Sequence, residues 1–251
     1  MLIHTVKKTL VNARRAFTGK DRLLMRKGTH LLNLTRDRIP WALARFNDGE
    51  IKAMAVANVG EKTARDDQEI DHMLVDRLNW AIRQRQENLW LGLPCSVCWP
   101  RERTIAEASI GKEYLYRTLA VVQTNRNWQE WIYRFAEVIK GREVTWVSGE
   151  DQNLLALNKR TGIVVKDQWR LPITDVWQKE YSELRERSGE FSQDEIVVLS
   201  CGPMATVLAV EWFQKRPDCT FVDMGSTFDP FTRDVWHRCH TQNLPRCLGC
   251  N

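Results

Sequence analysis

No run in the sequence approaches the roughly 18 apolar residues needed to span a bilayer, so no membrane-crossing helix is expected. The N-terminus lacks an apolar core followed by a small-residue cleavage site, the mark of a secretory signal. The expected compartment is therefore the cytoplasm, where the seven cysteines would be mostly reduced thiols. Glycine and proline are sparse, at 13 and 8 of 251 residues, and no Pro/Gly/Ser-rich linker or internal repeat divides the chain. One domain over residues 1–251 is the expected organisation. Neither the G-x-x-x-x-G-K-S/T of a P-loop nor the G-x-G-x-x-G of a dinucleotide fold occurs, so neither cofactor class is supported. With five histidines and no marked Ser–His–acid or Cys–His arrangement, histidine-driven nucleophilic chemistry is not favoured.

What remains is an ordinary globular balance, 43% hydrophobic and 27% charged, with a net charge of +5. The charge is uneven. Residues 1–40 hold ten Lys/Arg against Asp21 and Asp37, a net of +8, which leaves the body at −3. Residues 1–38 therefore read as a basic helical extension, either a solvated face or a contact for anionic lipid or nucleic acid. Eleven tryptophans supply core, and flat faces suited to sugar or base stacking.

Along the chain, helical spacing over residues 1–35 carries a break at Thr18–Asp21, and Pro40 leads into an apolar strand, Trp41–Phe46. Helices are expected to about Val59 and over 68–86, 103–120, 127–140, 174–187 and 204–215. Strands are expected at Asn88–Leu93, Glu143–Val147, Ile163–Val165, Glu195–Ser200 and Thr220–Val222. Alternating strands and helices of this kind predict an α/β fold with a mainly parallel sheet, whose ligands collect at the carboxyl ends of the strands.

Several turns fall at those ends. Arg45-Phe46-Asn47-Asp48-Gly49-Glu50 places two carboxylates two residues apart between a strand and a helix. Such a turn either aims Asp48 and Glu50 at one hard cation, Mg²⁺ or Mn²⁺, or simply caps the helix as a solvated Asn-Asp-Gly turn. Gly149 and Glu150 end the 143–147 strand. Ser200-Cys201-Gly202-Pro203-Met204-Ala205-Thr206 joins a strand to a helix N-terminus, where free N–H groups attract phosphate or bind nothing. Asp223-Met224-Gly225-Ser226-Thr227-Phe228-Asp229 sets two acids past the last strand. Asp223 and Asp229 are the candidates for general base or sugar-hydroxyl ligand, against a plain Asx turn.

The Cys/His-rich tail, 236–251, contains His237, Cys239, His240, Cys247 and Cys250. Two C-x-x-C pairs, Cys95 with Cys98 and Cys247 with Cys250, have the spacing of a structural Zn²⁺ site; buried or unpaired thiols are the alternative. Cys201 and Cys219 read as core.

Taken in order, the Arg45–Glu50 hexamer, the glycine after the 143–147 strand, the Cys201–Ala209 turn and Val222-Asp223-Met224-Gly225 resemble the GT-D fold glycosyltransferases. The resemblance covers residues 40–230. It implies a Rossmann-like sheet and transfer of a sugar, UDP-linked or on another nucleotide, to a glycan, lipid-linked or other glycoconjugate acceptor, as in polysaccharide biosynthesis. It also implies a D-x-E metal site in which Asp48 and Glu50 hold Mn²⁺ or Mg²⁺. Arg45, Asn47, Gly149, Glu150, Gly202, Pro203, Met204, Thr206 and Ser226 then fall on the substrate side. Asn47, Met204 and Ser226 stand where the family has glycine, threonine and histidine, so no role of that histidine carries over. The basic N-terminus would suit peripheral membrane docking beside a lipid-linked acceptor. Two rival readings are a zinc-stapled nucleic-acid-binding module, disfavoured by the acidic body, and another α/β phosphosugar enzyme.

Overall fold

The computed structural model describes residues 19–57, 72–94, 99–120, 128–172 and 176–233. Nearly continuous apolar runs make up the central strands. A strand buried on both faces has no solvent side on which to alternate polar residues, and that is the signature of a covered parallel sheet.

In chain order the elements are α1 (Gly19–Arg36), β1 (Ala42–Arg45), α2 (Asp48–Ala57), α3 (His72–Ala81), β2 (Leu89–Leu93) and α4 (Pro100–Ile110). A 3-10 turn, Lys112–Arg117, leads to β3 (Thr118–Ala120), then α5 (Trp128–Val138), β4 (Val144–Gly149), α6 (Leu154–Thr161) and β5 (Asp167–Leu171). There follow α7 (Val176–Glu186), a 3-10 turn over Arg187–Glu190, β6 (Ile196–Ser200), α8 (Pro203–Lys215) and β7 (Thr220–Asp223). A 3-10 turn, Gly225–Phe228, and a single helical turn, α9 (Asp229–Thr232), close the described chain.

The seven strands form one sheet in the order β3-β2-β1-β7-β6-β4-β5, every pairing parallel. Successive residues point to opposite faces. Ala42, Ala44, Leu91, Leu199 and Phe221 pack under Ile51 of α2, Leu78 of α3, Ala106 of α4, Tyr181 of α7 and Leu208 of α8. Leu43, Trp90, Trp146, Val198 and Val222 pack under Leu31 of α1, Phe135 of α5, Leu157 of α6 and Phe231 of α9. The result is three layers, helix–sheet–helix, with two cores.

Helix α8 is apolar all round because it is covered all round: Met204 to Phe213 are buried without interruption. It lies on β1 and β7, with α3 and α7 beside it. Its one buried acid, Glu211, accepts the Tyr181 hydroxyl at 2.7 Å, with the Arg185 and Arg77 guanidinium groups at 3.5 and 3.7 Å.

The structure departs from the sequence expectations at the sheet edges. Residues 118–120, expected as the end of a helix, form the edge strand β3. The strand expected at Ile163–Val165 lies instead at Asp167–Leu171. Gly162 ends α6 in the left-handed region (φ 77°), and the linker that follows buries Ile163 but leaves Val164 68% exposed. The strand itself, Asp-Gln-Trp-Arg-Leu, is polar because an edge strand is only half covered. Helix α3 stops at Ala81, short of residue 86. Most described tryptophans are core, with Trp41, Trp90, Trp131, Trp146, Trp177 and Trp212 all buried. No described helix is long and apolar enough to cross a membrane. The expected zinc ligands Cys95, Cys98, Cys247 and Cys250 all lie outside the described residues, as do His237, Cys239 and His240 of the tail and residues 1–18.

Candidate active site at the carboxyl edge of the sheet

All strands being parallel, their carboxyl ends share one edge. That edge receives Arg45–Glu50 from β1, Gly149–Glu150 from β4, Ser200–Thr206 from β6 and Asp223–Asp229 from β7. At the usual spacing of about 4.8 Å per strand, β7 ends about 5 Å from β1, β6 about 10 Å and β4 about 14 Å.

The turn after β1 is closed by a carboxylate that returns to the helix start. Asn47 precedes α2, and Glu50, three residues on, returns its Oε2 to accept the Asn47 N–H at 2.9 Å. Asp48 also lies in the first turn, where a carboxylate meets the positive end of the helix dipole. Its Oδ2 sits 3.2 Å from Lys52 Nζ, one turn further along.

Asp223 anchors the neighbouring strand end. It is 2% exposed; its Oδ2 accepts the Arg45 N–H at 3.0 Å and lies 2.9 Å from Thr206 Oγ1, and its Oδ1 accepts the Gly225 N–H at 3.1 Å. Thr206 Oγ1 is also 3.1 Å from the Arg45 carbonyl, which fastens the start of α8 to the end of β1. The Arg45 guanidinium turns toward β7, donating to the Met224 carbonyl and, at 3.0 Å, to Thr227 Oγ1. Gly225 has φ +48°, and a Cβ there would come within 2.9 Å of Arg45 Nη1. Only glycine fits between the turn and its clamp.

Burial pushes the Glu50 carboxyl up to about 7; the nearby Asp223 charge adds to this, and the N–H groups of Glu50 and Asn47 and the Arg45 charge oppose it. Burial likewise lifts Asp223 to about 6, against the Arg45 charge and the hydrogen bonds from Arg45, Thr206 and Gly225. The folded chain thus holds these protons more tightly than the unfolded chain. The stability these two groups contribute in the metal-free protein is then fully present below about pH 4 and is lost as pH rises through about 6 and 7. A thermal melt series from pH 5 to pH 8 is expected to show this decline, and Glu50→Gln to remove on the order of 2 kcal/mol of it, allowing for the partial exposure of that side chain.

Sequence reasoning missed a second buried chain of hydrogen bonds. The Trp146 indole N–H donates to Gln152 Oε1 (2.9 Å), Gln152 Nε2 to Ser200 Oγ (2.8 Å), and the Ser200 hydroxyl to the Gly225 carbonyl (2.7 Å). This chain joins the ends of β4, β6 and β7. Nothing local in Asp-Gln-Asn marks Gln152, since its partners are distant in sequence. Gln152→Leu leaves the Trp146 and Ser200 groups without these partners. It is expected to cost about 1–3 kcal/mol in urea unfolding.

The remaining residues fall as follows. Gly202 is exposed at φ +65°, ψ −151°, a conformation open essentially to glycine, with Pro203 opening α8 and Met204 buried behind it. Ser226 is half-buried in the 3-10 turn. Gly149 lies beneath the Asp151–Arg233 ion pair (2.8 Å), and the Glu150 side chain is exposed. Asp229 is 3% exposed, with Oδ1 3.4 Å from Arg233 Nη1, on the β4 side rather than against Asp223. Cys219 is buried, as expected. Cys201 is half-buried, and burial raises its thiol well above the ordinary range. Among the described residues, no three His, Cys, Asp or Glu side chains converge as a ready ligand cage.

No protein-family model matches the chain, and no curated protein matches it in sequence. Solved structures do match in fold. One is described as the highly conserved domain of unknown function 1792 with a distinct glycosyltransferase fold: TM-score 0.57, 18% identity, covering 80% of this chain and 78% of that one. A selenomethionine-substituted structure of DUF1792 aligns at TM-score 0.58 and 16% identity, over 85% of each chain. A third, described as a new glycosyltransferase (DUF1792) from Streptococcus sanguinis, aligns at 0.55 and 16%, over 80% and 82%. The seven-stranded parallel sheet with its crowded carboxyl edge therefore has the distinct glycosyltransferase fold described for DUF1792.

Proposed function

We propose that the chain is a metal-dependent glycosyltransferase that moves a sugar from a nucleotide-sugar, a UDP-sugar in the first instance, to a glycan or lipid-linked acceptor. One observation carries the reading: within a glycosyltransferase fold, the Asp48/Glu50 turn, the opening of α8 and Asp223 meet on the ligand-binding edge of the sheet.

The donor set suits Mn²⁺ or Mg²⁺, which take oxygen ligands and commonly bind through one or two carboxylates plus substrate phosphates and water. Two features favour a cation here. An ammonium already stands on Asp48, and burial, with the Asp223 charge nearby, makes Glu50 hold its proton unusually tightly. Asp48 and Glu50 would hold the ion, which when bound would neutralise charge developing on the leaving nucleoside diphosphate. Gly202 keeps side chains away from the first turn of α8, whose N–H groups would meet the donor phosphates. Arg45, clamped on the β7 turn, would act on those phosphates through its charge and hold Asp223 in place. Asp223, with a proton affinity near neutral, would activate an acceptor hydroxyl. The basic character of residues 1–38 would suit docking on an anionic membrane that carries a lipid-linked acceptor.

A thermal-shift screen of nucleotides, nucleotide-sugars and sugar phosphates, with and without Mn²⁺, tests the proposal. Stabilisation by UDP or a UDP-sugar that requires Mn²⁺ is the expected result. A response confined to sugar phosphates would replace it with a phosphosugar enzyme.

A further inference from the structure

Lys52 is the least explained residue of the site. Its ammonium lies 3.2 Å from Asp48 Oδ2 and 3.9 Å from Glu102 Oε1 of α4, and 3.8 Å from the centre of the Trp99 ring. The side chain is 33% exposed, while those of Asp48 and Glu102 are 17% and 13% exposed. An ordinary helical i,i+4 pair needs one acid and solvent. This one has a second, more enclosed carboxylate and an aromatic face gathered around the same ammonium, both from the start of a different helix. A cation can thus leave Asp48 without returning to water, since Glu102 and Trp99 still hold it.

We infer that Lys52 is the resident cation of the metal site. It neutralises Asp48 while no divalent ion is bound, competes with the ion for that carboxylate, and is retained by Glu102 and Trp99 when the ion takes it. The inference rests on the metal reading of Asp48 and Glu50. It gives the site a graded metal affinity: the chain must release an internal cation to bind an external one.

Binding of Mn²⁺ alone to the full chain, followed by loss of the free-ion electron paramagnetic resonance signal, provides the test. Lys52→Met is expected to tighten Mn²⁺ binding by about threefold to fivefold, the scale of one partly exposed ion pair. Glu102→Gln leaves Lys52 only Asp48 as an acid partner and is expected to weaken binding about twofold, with most of that loss absent in the Lys52→Met background. Arg101→Met removes an equal charge from an exposed neighbour on α4 and is expected to change affinity less than twofold. Asp48→Asn is expected to abolish binding. If Asp48→Asn abolishes binding but Lys52→Met leaves it unchanged or weaker, or Arg101→Met matches Lys52→Met, the competition is overturned and the metal site stands. If wild type binds no Mn²⁺ at millimolar concentration, both are overturned.

Discussion

Replacing either acid of the β1 turn, as Asp48→Ala or Glu50→Ala, is expected to lower Mn²⁺-dependent release of UDP from a UDP-sugar by about 10²–10³-fold. That is the loss seen when one preorganised electrostatic contact to a developing charge is removed. The two positions differ in what else they do. Glu50 also caps α2 through the Asn47 N–H, so Glu50→Ala is expected to cost about 1 kcal/mol of stability in addition. Glu50→Gln keeps an acceptor for that N–H and removes the charge. Loss of turnover in Glu50→Gln with a melting temperature no lower than wild type assigns the effect to chemistry rather than to the helix start. Asp48 has no part in that cap, and its replacement is expected to leave stability within about 0.5 kcal/mol, the value of its helical pair with Lys52.

Arg45→Met is expected to have the largest effect on stability, about 3–5 kcal/mol. Removing one member of a buried charged cluster strands the others, and here Asp223 would remain buried without its nearest cation. The Met224 carbonyl and Thr227 hydroxyl lose their donor in the same step, and the Gly225 turn loses the group packed against it. For a chain of this length the melting temperature should fall by roughly 6–20 °C. Arg45→Met/Asp223→Asn is expected to cost at least about 1 kcal/mol less than the two single changes added together, because each removes the other's reason for being buried. Strict additivity in urea unfolding would show that Arg45 and Asp223 do not work as one unit.

The β1 turn is legible in the sequence because three local signals agree there: an apolar run, Asn-Asp-Gly, and then helical spacing. The same holds for β6 into α8, where Ile-Val-Val-Leu meets Gly-Pro. Edge strands lack such agreement. β5 has one apolar wall instead of two, so Ile163–Val165 looked more like a strand than Asp-Gln-Trp-Arg-Leu did, and β3 is only three residues long. The fourfold spacing of Asp48 and Lys52 is visible in the sequence as a helical pair. The approach of Glu102 and Trp99 to Lys52 is a tertiary fact, set by how α4 crosses α2. Gln152 is harder still. Its meaning lies in Trp146, Ser200 and Gly225, which meet only once three strands are paired. The Arg45 side chain shows the same limit. Sequence order places it before two acids, but the fold turns its guanidinium to the end of the neighbouring strand β7.

The central claim, that Asp48 and Glu50 serve a metal-dependent sugar transfer, is tested most directly by nucleotide release from a panel of UDP-sugars by the wild-type chain. Release of UDP in the presence of Mn²⁺, its loss on chelation and its return on adding Mn²⁺ back is the predicted result. Turnover that is indifferent to chelation, or equal in wild type and Asp48→Ala/Glu50→Ala, would contradict the account.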